Sequence, residues 1–139
     1  LVGSEMCIRD RACPLFVPLV ENGRYRPGDT VIETVAREYL EPLRQTGIDT
    51  LILGCTHYPL LMDVIGSVMG PAVTLINASE EAAWDLKRAL RDAGLLSPGP
   101  GGEATLYASD QPSDFRTVAQ QFLREELHKP VLPVDIDRY

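Results

Sequence analysis

Strands alternating with amphipathic helices predict an α/β fold, a mainly parallel sheet with flanking helices. Three observations carry that prediction. The apolar runs Leu51 to Leu53 and Val73 to Ile76 have strand length and stop at Gly54 and Asn77. Leu61, Val64, Ile65 and Val68 recur at the spacing of one helix face. Pro and Gly punctuate the joins, most densely in Ser97-Pro98-Gly99-Pro100-Gly101-Gly102.

Taken in order, Ala12 to Glu21 mixes apolar residues with Pro14 and Pro18 and reads as a strand end running into a loop. A turn-rich stretch from Glu21 to Asp29 leads to a helix over Thr30 to Arg44. There Val31, Val35, Tyr39 and Leu43 lie at helical spacing, and Pro42 predicts a kink or early end. Ile48 to Gly54 reads as a buried strand, Pro59 to Met69 as a helix and Val73 to Ile76 as a strand. Ser79 to Ala93 follows as an N-capped helix with an acidic first turn at Glu80 and Glu81 and a core face of Leu86, Leu90 and Ala93. A strand over Glu103 to Ser109, a helix over Ser113 to Leu127 and a proline-bounded edge strand over Val131 to Val134 complete the pattern. Parallel strands joined through helices imply right-handed crossovers.

At 139 residues, 45% of them hydrophobic, the chain has the length and composition of one globular domain. Asp and Glu number 20 against 13 Lys and Arg, which argues against a nucleic-acid surface, since phosphate binding needs clustered cations. No apolar stretch approaches the ~20 residues of a membrane helix, so no membrane partner is expected. Cys7, Cys13 and Cys55 form neither a disulfide framework nor a metal-binding spacing. Cys55-x-His57 is too sparse for a zinc site, and His128 is the only other histidine. The expectation is a reduced, cytoplasmic, metal-free protein.

Chemistry concentrates in Thr50-Leu51-Ile52-Leu53-Gly54-Cys55-Thr56-His57-Tyr58-Pro59-Leu60-Leu61. The strand delivers a thiol to its carboxyl end, where open α/β sheets hold their sites. Gly54 suits a tight turn, and Pro59 suits the first position of a helix whose N-terminus would favour a thiolate and a nearby carboxylate. An isolated cysteine is most often a small buried hydrophobe. The strand-end position and polar neighbours favour chemistry for Cys55, whereas Cys13, in an apolar run, reads as core. His57 reads as a helix cap or a satisfied structural histidine, and Thr56 as either a turn residue or a donor to substrate. Tyr58 and Pro59 read as packing and helix start, Glu21 as a loop carboxylate, and Glu80, Glu81, Asp110 and Asp114 as helix N-terminal charges.

This stretch resembles the second cysteine motif of glutamate racemases, within the aspartate/glutamate racemase family. Ala12-Cys13-Pro14-Leu15-Phe16-Val17-Pro18-Leu19-Val20-Glu21 resembles the family segment before that cysteine, and Val73 to Glu81 the strand and turn after it. Leu106 to Asp110, leading through Phe115 to Phe122-Leu123, resembles the family's last strand–helix unit. Asn77 departs from an aspartate common there. Leu1 to Arg11 matches nothing in the family; it reads as a non-native or disordered segment and looks like translated sequencing-adapter read-through.

The resemblance implies half of a pseudosymmetric two-domain fold. Residues 12–76 would be a portion of the catalytic-half domain, and residues 77–139 would complete an N-terminal domain. That N-terminal half's Asp-Ser pair, Tyr-Gly turn and Cys-Asn-Thr motif do not occur here. The implied activity of the full-length protein is cofactor-independent, two-thiol interconversion of L- and D-glutamate for peptidoglycan synthesis. Cys55 would take the proton from L-glutamate and return it in reverse. His57 would be its acid/base partner, Glu21 would assist the histidine, and Thr56 with Cys55 would hold substrate. Glutamate is the implied partner, homo-oligomerisation is compatible with the full-length protein, and the isolated chain is expected to be inactive. The alternatives are another racemase of the family, such as aspartate racemase, or a catalytically inactive protein-binding fragment.

Overall fold

A computed structural model describes residues 8–99, 101–123 and 125–138. Met6, Cys7 and most of the segment 1–11 lie outside the described residues, as do Pro100 in the glycine-rich join and Arg124 in the last expected helix. The chain packs as two compact units that divide after Leu96.

The first unit opens with helix α1 (Phe16–Glu21), where a strand end and loop were expected. Two prolines obscure this helix in the sequence. Pro14 precedes it, and Pro18 falls in its first turn, where a missing N–H forfeits no helical bond. Phe16 and Val20, one turn apart, are both fully buried and give the helix its driving stripe. At the other end, Asn22 Nδ2 donates to Pro18 O at 2.7 Å. Gly23, at φ +75°, donates its N–H to Val20 O at 2.9 Å, satisfying terminal carbonyls.

Helix α2 (Thr30–Arg44) has the expected bounds. The Asp29 carboxylate caps it by accepting from Val31 N–H at 2.9 Å and is itself gripped by Arg24 through two 2.9 Å bonds. The helix runs through Pro42 without ending, because a missing N–H so near the terminus removes only one bond. Its core stripe is Ile32, Ala36, Leu40 and Leu43, one residue beyond the expected set for three of the four positions. Val31 is exposed, while Val35 and Tyr39 pack at the core's margin. Both stripes are apolar at the same period, so spacing alone does not choose between them.

Strand β1 (Thr50–Leu53) pairs in parallel with β2 (Thr74–Asn77), with Thr50 opposite Thr74 and Leu53 opposite Asn77. Contrary to the expected buried strand, only Leu53 is buried and Ile52 is 65% exposed. Between the strands the chain makes a 3₁₀ turn (Tyr58–Leu61), then α3 (Met62–Met69), which ends at Gly70 with φ +85°. Leu61, Val64, Ile65 and Met69 are buried, and α3 packs on α2. Cys13, α1, α2, Leu53 and α3 thereby share one hydrophobic cluster.

Helix α4 (Ala78–Asp92) starts one residue earlier than expected, because Asn77 Oδ1 caps it by accepting from Ser79 and Glu80 N–H at 3.2 and 3.3 Å. Its expected core face is not buried: Leu86 is 60% exposed, Ala93 is exposed and Leu90 is only partly covered. The apolar stripe exists, but none of its residues is fully buried among the described residues.

In the second unit, β3 (Tyr107–Ala108) and β4 (Leu132–Pro133) pair in parallel, with α5 (Pro112–Leu123) between them in sequence. The strand expected over Glu103 to Ser109 shrinks to two residues, and the helix stops four residues short of Leu127. Among the described residues of this unit, Ala108 and Val131 are the buried apolar ones.

Candidate active site

The buried side chain of Leu53 anchors the end of β1, and the chain then presents Cys55, Thr56 and His57 in succession. Gly54 does not have a positive φ, and a Cβ there would meet no heavy atom within 4 Å. The expected need for glycine in a tight turn is therefore not what the backbone uses; open space adjoins Cys55 instead. Tyr58 N–H donates to Cys55 O at 3.2 Å and Leu60 N–H to His57 O at 3.1 Å. The loop thus closes as a 3₁₀ turn, and α3 proper begins only at Met62. The expected α-helical N-terminus beside the thiol is absent, because Pro59 sits in this tighter turn.

Cys55 is a half-buried free thiol. The His57 side chain is 20% exposed and bridges two groups. Its Nε2 lies 3.3 Å from Oε1 of Glu21, which is 51% exposed, and its Nδ1 lies 3.2 Å from Thr56 Oγ1. With hydrogen on Nε2, the ring donates to the carboxylate and accepts from the threonine hydroxyl. A protonated ring gains charge assistance from Glu21. The structure thus brings Glu21, the last residue of α1, to a loop 36 positions away and joins Thr56, His57 and Glu21 in one chain of contacts.

Cys13 differs in kind. It is buried in the core, its Sγ donates to Arg11 O at 3.6 Å, and burial pushes its thiol pKa up. That favours the neutral thiol, as the core reading expects. Arg11 also lies over the Tyr39 ring, 5.7 Å from its centroid.

Sequence reasoning treats Tyr58 as packing and misses its polar contact. Its ring meets Phe16 edge-on at 5.4 Å, and its hydroxyl donates to Cys13 O at 3.4 Å. Burial, then the nearby Cys13 and Cys55, push the phenol pKa up, which keeps it a donor. A contact across 45 positions leaves no local signal. Among the described residues, no three His, Cys, Asp or Glu side chains are placed to hold a metal ion. No helix there is long and apolar enough to cross a membrane.

An α/β unit with a cysteine and a carboxylate-paired histidine at a strand end suits acid/base chemistry on a small molecule. No protein-family model matches the chain. It is nevertheless similar in sequence to curated glutamate racemases along most of its length. It is 43% identical over 127 residues to the glutamate racemase of Geobacter metallireducens, covering 91% of this chain and 46% of that one. It is 47% identical over 124 residues to that of Desulforudis audaxviator, covering 84% and 44%.

Solved structures agree. Glutamate racemase from Thermus thermophilus in complex with β-chloro-D-alanine superposes with TM-score 0.80 at 40% identity, covering 93% of this chain and 48% of that one. An isoform from Bacillus anthracis gives 0.83 at 33%, covering 97% and 49%. The enzyme from Francisella tularensis in complex with D-glutamate gives 0.79 at 35%, covering 93% and 47%. The fold is that of the glutamate racemases over the part compared. The chain spans about half the length of the curated relatives it matches.

Proposed function

We propose that the chain carries one side of the catalytic apparatus of a glutamate racemase, which interconverts L- and D-glutamate without a cofactor. The observation that carries this reading is the half-buried free thiol of Cys55 two residues before His57, which pairs with Glu21, in a segment similar to glutamate racemases. The D-glutamate bound by the Francisella relative supports the substrate. The product would feed peptidoglycan synthesis, and the enzyme would work in the cytoplasm.

Racemisation requires removing a weakly acidic α-proton from one face and supplying a proton to the other. A thiol suits both tasks, since its pKa of ~8.5 lies close to neutrality. With L-glutamate bound, the Cys55 thiolate takes the α-proton. The Cα–H bond breaks, an S–H bond forms, and the electron pair remains on Cα, delocalised into the adjoining carboxylate. A second acid on the opposite face delivers a proton to that pair and yields D-glutamate. In reverse, the Cys55 thiol is the donor. With Nε2–H held on Glu21, His57 accepts the thiol proton at Nδ1 through the Thr56 hydroxyl and returns it by the same route between turnovers. The Thr56 hydroxyl and the open space at Gly54 receive the substrate's polar end.

In the full-length protein, Cys55→Ser should reduce racemisation at least ~100-fold, because a hydroxyl is too weak an acid to serve as the base. Circular dichroism should remain unchanged, since the swap is nearly isosteric. Turnover above a tenth of wild type would remove Cys55 from the mechanism. Assaying aspartate beside glutamate separates the two substrates: preferential turnover of aspartate would overturn the glutamate assignment.

A further inference from the structure

We propose that Tyr58 is a positioning residue that sets the His57–Glu21 contact by tying the start of α1 to the loop that holds the thiol. This rests on the racemase reading for its kinetic consequence, but its geometry stands independently. Glu21 and His57 belong to different elements, so some connection between those elements must fix their 3.3 Å approach. Tyr58 supplies it from both ends. Its backbone N–H holds Cys55 O at 3.2 Å, inside the loop. Its hydroxyl reaches Cys13 O at 3.4 Å, the carbonyl that also accepts Phe16 N–H at 3.1 Å where α1 begins. The contacts form a closed circuit: Cys55, Tyr58, Cys13, along α1 to Glu21, and back through His57 to the loop.

Packing and hydrogen bonding divide the work within this circuit. The edge-on contacts of Phe16 with Tyr58 and Tyr39, at 5.4 and 5.5 Å, hold α1 against the core. The hydroxyl contact, long at 3.4 Å, adds a directional tie to the carbonyl at the start of α1. α1 has only six residues, so a small shift at Cys13 is carried to Glu21 with little damping.

Tyr58→Phe tests this, because it deletes the hydroxyl and keeps the ring that packs on Phe16. In the full-length protein kcat should fall about tenfold with KM unchanged, the expected cost of misplacing an acid/base group by a fraction of an ångström. In the Glu21→Gln background the same change should cost nothing further, since the two act through one contact. The His57 ring ¹H–¹⁵N signals provide a readout that needs no activity. Tyr58→Phe should move them in the same direction as Glu21→Gln, and the double variant should match Glu21→Gln alone. Unmoved His57 signals, or effects of the two variants that simply add, would overturn the proposal. Lack of racemisation by the wild-type protein would instead contradict the underlying racemase reading, while the spectra still decide the role of Tyr58.

Discussion

Cys55, Thr56 and His57 stand out in the sequence because their spacing to the strand and to Pro59 is local. The Glu21–His57 contact is not legible in that way. Glu21 looks like any loop carboxylate, and only the family resemblance singles it out before the fold brings it within 3.3 Å of the imidazole. Tyr58 is the converse case, an aromatic that reads as packing and whose hydroxyl matters through a carbonyl 45 positions away. Asp29 belongs at this scale too. The Arg24 hydrogen bond first, then bonds from the α2 backbone, hold its carboxyl below the usual range. A carboxylate with a depressed folded pKa stabilises the fold above its unfolded pKa of about 3.9, and that contribution disappears as pH falls through the lower folded value. Arg24→Ala should therefore lower the thermal midpoint at pH 7, and the gap to wild type should close as pH falls below that folded value. A gap that persists undiminished at low pH would show that Arg24 acts by another route.

Among the elements, α2 and α3 are the most readable, since each carries a sustained apolar stripe and α3 stops at Gly70. α1 was hidden because six residues hold only two buried positions, and prolines mask their spacing. Phe16 nonetheless anchors it. The ring is fully buried between Tyr39 and Tyr58, so Phe16→Ala should cost about 3–5 kcal/mol in denaturant unfolding of the full-length protein. A loss below about 1 kcal/mol would mean that α1 does not depend on this anchor. β1, β3 and β4 are shorter than the strands expected there, because pairing requires a neighbour that the stretch itself does not reveal.

Burial is a property of the whole molecule, and there the sequence misleads most. Periodicity places Leu86 on a core face and Ile52 within a buried strand, yet both are largely exposed in the described residues. An apolar pattern specifies a face and leaves open what covers it. The chain spans about half the length of its curated relatives, and the proposed mechanism needs a second acid opposite Cys55. Two-sided proton transfer leaves an isotopic signature. When full-length protein converts L-glutamate in D₂O, the D-glutamate formed should carry deuterium at Cα from the first turnovers, while unreacted L-glutamate stays protonated in that initial phase. D-glutamate that retains the original α-hydrogen would contradict proton removal on one face and delivery on the other.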